Sequence, residues 1–238
     1  MAPSFEVIVD EMVCLELLWW AAADTGNATI AAIAHSHARR MIADAFQPFN
    51  PGCAWHLITY DDASGAVLNR SSTPQGLGRD TVWARGQAWA LNGFVIAFRY
   101  TGDPAYLAQA QAAADCFMRL LTQCCGNARY RWAPLWDFNA TAPHDSVDTS
   151  ALAIAAEGIV ELSAYTRGAK AAAYYAFAKQ LLEAARDFYL FGAKDSDAVL
   201  KNGTTTFPQT GVGVVYGDYY LLQAQIKFDA TPPPDGLR

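Results

Sequence analysis

Positive charge is scarce in this chain. It carries 17 Lys and Arg against 23 Asp and Glu, a net charge of −6, and its longest basic run is Arg39-Arg40. Nucleic acids are held by dense cationic surface, so a nucleic-acid partner is disfavoured. Histidine is scarcer, at four residues. His35 and His37 stand two apart and cannot share a helix face as an i, i+4 metal pair would, so no metal site is expected. A phosphate loop is missing, because Gly211-Val212-Gly213 lacks the third glycine and the helix start. Ser150 has no Gly-x-Ser-x-Gly elbow around it, so it does not read as a nucleophile. Long apolar runs are missing too. Residues 12–23, the most apolar stretch, include Glu16 and are too short to span a bilayer. Residues 1–5 have neither a basic segment nor an apolar one, so no signal peptide is expected, and the chain as it stands reads as soluble and cytoplasmic. The five cysteines are an odd number in apolar surroundings. The neighbouring Cys124 and Cys125 lack zinc-ligand spacing, and all five are expected to be reduced thiols.

What is present is a large apolar inventory. Hydrophobic residues make up 53% of the 238, aromatic residues 13% and charged residues only 17%, which supports one large core and argues against disorder. No linker divides the chain. Residues 1–238 read as one domain, with residues 229–238 a disordered tail around Thr231-Pro232-Pro233-Pro234.

The chain repeats loosely. Three times an apolar helical run ends in a turn with Thr and Gly, and a second helix follows. The pairs are residues 10–24 with 30–46, 82–100 with 105–121, and 150–165 with 171–189. In the middle turn Gly102 suits a left-handed C′ position, Asp103 an N-cap and Pro104 the first helical position. The second helices are amphipathic: Leu107, Ala110, Ala114, Phe117 and Leu121 recur at steps of three and four. The first helices are apolar nearly all round, the mark of burial on every side. An inner ring of buried helices wrapped by an outer ring is therefore expected. Residues 216–228 form a seventh, unpaired helix. One region alternates as β, with residues 56–60 and 66–68 flanking a turn, and reads as a hairpin insert.

Polar groups gather where the apolar helices start: Asp10, then Asp80 and Arg85, then Asp148 and Ser150, and finally Asp218. If the hairpins run up and down, these starts converge on one polar mouth. For Asp80, Asp148 and Asp218 helix capping is the favoured role. Asp10 differs, because Val7-Ile8-Val9 and Met12-Val13-Cys14 surround it with apolar groups. Desolvation favours the protonated carboxyl and makes Asp10 the first candidate for a general acid. His56, beside Trp55, could face the mouth or lie in the core.

The densest signal is Trp83-Ala84-Arg85-Gly86-Gln87-Ala88-Trp89. Arg85 and Trp89 share a helix face. A guanidinium can grip a carboxylate bidentately and an indole offers a platform for a sugar ring, so the pair is equipped for an acidic sugar. A helix start with core tryptophans and a snorkelling arginine fits the same spacing.

This motif resembles the signature of the unsaturated glucuronyl hydrolases of glycoside hydrolase family 88. Supporting segments stand in the family's order across residues 7–228: Asp10-Glu11-Met12, His56-Leu57-Ile58-Thr59-Tyr60-Asp61, Gln75-Gly76, Trp136-Asp137-Phe138, Asp148-Thr149-Ser150-Ala151 and Gly217-Asp218-Tyr219-Tyr220. The resemblance implies an all-α fold, the (α/α)6 barrel of six helical hairpins. It implies glycoside hydrolysis by an unusual route, in which an aspartate protonates C4 of a C4=C5 unsaturated uronyl group and helps water add at C5. The resemblance places that aspartate at Asp10 and substrate contacts at His56, Gln75, Arg85 and Trp89, with Arg85 near the uronate carboxylate. No metal or organic cofactor is implied. The partner is an unsaturated uronic-acid oligosaccharide, with no nucleic acid or membrane.

The chain supplies about seven helices, so an incomplete barrel is expected, without the family's N-terminal helices, a second important aspartate and an aromatic contact. An unclosed ring would leave inner-helix faces exposed and open to self-association. An unsaturated rhamnogalacturonyl hydrolase and an inactive sugar-binding remnant stand as alternative readings.

Overall fold

The computed structural model describes residues 3–71, 75–192 and 194–234. Seven helices appear, close to the expected boundaries: α1 Glu11–Thr25, α2 Ala28–Asp44, α3 Ala84–Thr101, α4 Pro104–Cys125, α5 Thr149–Tyr165, α6 Gly168–Phe188 and α7 Val215–Ala230. Helix α7 takes in the first two residues of the segment expected as a tail, whose residues 235–238 lie outside the described ones. Turn chemistry does what the sequence promised. Gly102 sits at φ +65° and ends α3, and the Asp103 carboxylate accepts from the Ala105 N–H at 2.9 Å to start α4.

Helices α1, α3, α5 and α7 pack side by side in that order, and α2, α4 and α6 each lie behind the helix they follow. The architecture is an arc of inner helices backed by an outer layer, as expected of an incomplete hairpin toroid. Glycine lets the inner helices approach. A Cβ on Gly93 of α3 would meet Met12 Cβ of α1 at 2.4 Å, and one on Gly158 of α5 would meet Leu91 Cδ2 of α3 at 2.9 Å. Burial on all sides holds for α3 and α5, while the arc's ends show the exposed inner-helix faces expected of an unclosed ring. Leu17 and Trp20 on α1 are 65% and 53% exposed, and Val215, Tyr219, Leu222 and Ile226 on α7 are exposed too. Each end helix packs on the arc from one side only.

The β region is larger than the hairpin expected. Strands β1 Ser4–Ile8, β2 Leu57–Asp61 and β3 Val67–Ser71 form one antiparallel sheet in that order, with Ser4 opposite Asp61 and Ile8 opposite Leu57. Strand β1 escaped notice because its partner lies some fifty residues away and only the local hairpin leaves a local pattern.

The reduced-thiol expectation is also corrected. Cys53 is bonded to Cys116 and Cys124 to Cys125, leaving Cys14 as the free and exposed fifth thiol. Sequence separation hid the first pair: α4 lies against the loop after α2 and brings the two Cα atoms to 5.4 Å.

Candidate active site

Strand β1 and its pairing with β2 position Asp10. The Val9 N–H donates to the His56 carbonyl at 2.8 Å, so the residue after Val9 emerges beside the imidazole. His56 Nε2 lies 3.3 Å from Asp10 Oδ1, with the imidazole 2% exposed and the carboxylate 22%. The two are in contact without hydrogen-bond alignment, and neither ring nitrogen of His56 has another partner among the described residues. Asp10 occupies the N-cap position of α1 but makes no capping bond, so its carboxylate is not consumed by the helix start. The His56 ring packs against Trp83, 4.4 Å between centroids. His56 is thus a buried residue in contact with the candidate acid.

Arg85 is neither snorkelling nor an open clamp. Its guanidinium is buried, and Nη1 donates to Asp148 Oδ2 at 2.6 Å, Ser150 Oγ at 3.3 Å and the Thr204 carbonyl at 2.5 Å. Nη2 donates to the Thr205 carbonyl at 2.6 Å. Nε and the second Nη2 proton have no hydrogen-bond partner among the described residues, and the guanidinium lies over Trp83 at 4.7 Å and near the Tyr216 ring at 5.4 Å. Fully buried Asp148 thus neutralises part of the guanidinium charge and fixes its position. Asp148 meanwhile caps α5 by accepting from the Ser150 N–H at 3.1 Å, so the capping role assigned to it holds. It fails for Asp80, which accepts from Trp55 Nε1, and for Asp218, which accepts from the Val199 and Leu200 N–H groups.

Trp89, half-buried one turn beyond Arg85, packs edge-on to Tyr220 with centroids 5.1 Å apart and lies 6.4 Å from Tyr216. Burial pushes the Tyr216 phenol up; Arg85 offsets part of that rise, and the charges of Asp148 and Asp10 add to it. Tyr216 is therefore a neutral donor within electrostatic reach of both Arg85 and Asp10. The starts of α1, α3, α5 and α7 do converge at one end of the arc. Tyr216 and Tyr220 were missed as site residues. The signal available was the seventh helix start, whose tyrosines one turn apart share a face.

Gln75 stands apart from this cluster. It is half-buried in the loop before α3, and no hydrogen bond or ring contact ties it to the other four candidates among the described residues. That loop is held by buried Asp137, whose Oδ2 accepts from the Leu77 N–H at 2.8 Å and Thr81 Oγ1 at 2.7 Å. Burial raises the Asp137 carboxyl, and these hydrogen bonds offset part of the rise. Among the described residues no His, Cys, Asp and Glu group could hold a metal ion, and no helix is long and apolar enough to cross a membrane.

No family model matches the chain. The unsaturated glucuronyl hydrolase of Formosa agariphila is 36% identical over 227 residues, covering 93% of this chain and 54% of that protein. The unsaturated chondroitin disaccharide hydrolase of Streptococcus pyogenes is 27% identical over 237 residues, covering 94% of this chain and 56% of that one. Among solved structures, an unsaturated glucuronyl hydrolase specific for heparin superposes with a TM-score of 0.86 at 29% identity, over 95% of this chain and 60% of the other. The unsaturated glucuronyl hydrolase of Bacillus sp. GL1 gives 0.85 at 25% identity, over 94% and 59%. The chain thus spans a little over half the length of the curated relatives it matches. With sequence and helical arc agreeing over nearly its whole length, the chain belongs to the family of the unsaturated glucuronyl hydrolases.

Proposed function

We propose that this chain acts in the hydrolysis of oligosaccharides ending in a C4=C5 unsaturated glucuronyl residue, with Asp10 as the general acid and base. The observation that carries the proposal is the Asp10–His56 contact beside the wall made by Arg85, Trp89, Tyr216 and Tyr220. Protonated Asp10 delivers its proton to C4 of the vinyl ether, which leaves positive charge shared between C5 and the ring oxygen. A water adds at C5 and returns a proton to the Asp10 carboxylate. The resulting hemiketal opens and releases the remaining saccharide as an alcohol, so the net change is addition of one water. Trp89 and Tyr220 supply a face for the unsaturated ring. Arg85, neutralised in part by Asp148, offers its Nε and outer Nη2 protons to the uronate and holds residues 204–205 in place. His56 sets the orientation of the acid, and Gln75 is assigned a substrate contact from the loop that Asp137 supports.

The relatives' names set the first substrate to try. The purified chain is incubated with an unsaturated chondroitin disaccharide, and loss of the double bond's ultraviolet absorbance is followed beside Asp10→Asn. Turnover reduced by about 10²–10⁴-fold in the variant is expected. Equal rates in both would remove Asp10 from the mechanism. Binding without turnover, unchanged by Asp10→Asn, would mark a sugar-binding remnant. Preference for pectin-derived over glycosaminoglycan-derived disaccharides would mark an unsaturated rhamnogalacturonyl hydrolase.

A further inference from the structure

Gln87 sits in the middle of the tryptophan-flanked motif, yet it faces away from Arg85 and Trp89. Its side chain is 1% exposed and fully used. Nε2 donates to the Gly52 carbonyl at 2.9 Å and to the Ala113 carbonyl of α4 at 2.9 Å, while Oε1 accepts from the Ala54 N–H at 2.8 Å. The amide therefore brackets Cys53, the residue bonded to Cys116 of α4. At the same point the chain lies flat on α4: a Cβ on Gly52 would fall 2.0 Å from the Ala112 carbonyl oxygen. Three residues beyond Cys53 the chain reaches His56, whose imidazole meets Asp10.

A glutamine in this place is expensive to bury unless every polar atom is paired. Its helical neighbours Ala84, Ala88 and Leu91 are apolar and fully buried, so packing of α3 on α4 alone calls for an apolar side chain. What the amide adds is a fixed position for the backbone of residues 52–54, and hence for the segment that carries His56. We propose that Gln87 is a positioning residue, which registers His56 against Asp10 from the same helix that carries Arg85 and Trp89. Its catalytic consequence rests on the function proposed above; its geometric consequence does not.

The test uses the full chain with ring-labelled histidine and follows the four imidazole signals at fixed pH. In the otherwise wild-type chain, Asp10→Asn is expected to move the His56 ring signals, because the two groups are in contact. In Gln87→Met, which keeps side-chain size and loses every hydrogen bond, that coupling of His56 to position 10 is expected to fall by at least half while the signals of His35, His37 and His144 stay where they were. Coupling in Gln87→Met equal to that of the wild type would overturn the proposal. Should Gln87→Met fail to fold, Gln87→Asn serves the same purpose, since it stays polar but is one methylene too short to reach both carbonyls. In turnover, a misplaced acid partner predicts kcat lower by about 10- to 100-fold with KM nearly constant. A merely structural glutamine would lower thermal stability and leave kcat per folded molecule and the His56 coupling untouched. A wild-type chain without turnover would end the hydrolase reading alone, because the imidazole signals need no substrate.

Discussion

Helices α5 and α7 start at the same end of the molecule and both carry many apolar residues, more strongly so in α5, but they live in different surroundings. Fifteen of the 17 residues of α5 are buried, whereas in α7 only Gly217 and Ala224 are. Helix α5 has α3 and α7 on its flanks and α4 and α6 behind it; α7 rests on α5 and α6. Position in the arc, more than sequence, decides what each helix hides. The candidate site is drawn from both kinds of region, with Arg85 and Trp89 from the closed middle, Asp10 from one open end and Tyr216 from the other. At the far end of the same helices a chain of charges crosses the whole arc. Arg99 of α3 pairs with Glu16 of α1 and with Glu161 of α5 at 2.8 Å, and Lys227 of α7 pairs with Glu157 and Glu161. The loosely packed ends are thus tied electrostatically to the packed middle.

The comparison can be broken most severely in the middle. Leu152 of α5 is fully buried, and Leu152→Ala should lower unfolding free energy by about 2–5 kcal/mol, read from urea denaturation. A loss no larger than that of a surface leucine would mean the middle is not the packed region it looks to be. Next comes the tie itself. Lys227→Met leaves buried Glu157 without its cation and Glu161 with Arg99 alone, and since Lys227 keeps 24% of its side-chain surface the expected cost is about 2–3 kcal/mol, below the usual range for a fully buried pair. Burial raises the Glu157 carboxyl, and Lys227 offsets part of that rise. A carboxyl raised by folding stabilises the protein below the ordinary carboxylate range, and this contribution disappears as pH climbs through the raised value. Removing Lys227 lifts that value further. The deficit of Lys227→Met should therefore be smaller in acid than at neutral pH, and a deficit independent of pH would mean that Glu157 does not lose its proton in this window.

Much of this division was legible in the sequence, and the remainder has physical reasons for being hidden. The hairpin rhythm, the Gly102-Asp103-Pro104 turn and the seven helices are local, and local chemistry announced them. Arg85 and Trp89 stand out as candidates because they share a helix face, and Asp10 because apolar residues surround it. The partner of Arg85 was not legible, since Asp148 lies 63 residues away and reads equally well as a helix cap, which it also is. Strand β1, the Cys53–Cys116 bond and the role of Gln87 all depend on segments meeting across the fold, and no spacing rule reports such meetings. The apolar run of α1 reads as buried on every side, whereas an unclosed ring leaves inner-helix faces exposed, and at α1 and α7 the second holds. A single sequence cannot say which of its apolar helices will find neighbours.

The smallest expected effect separates a bare face from a covered one. Leu222 of α7 is 59% exposed, so truncating it removes little from the folded chain's interior. In a monomer, Leu222→Ala should change unfolding free energy by no more than about 0.5 kcal/mol, the usual range for surface substitutions. Self-association through α7 makes a different prediction: stability would rise with protein concentration, and the substitution would erase part of that rise. Denaturation midpoints of both chains over a hundredfold concentration range, with sedimentation velocity alongside, distinguish the two. Midpoints that coincide at every concentration would leave α7 bare in solution, and the packed middle and its ion-pair tie would then hold the arc together without help from a second copy.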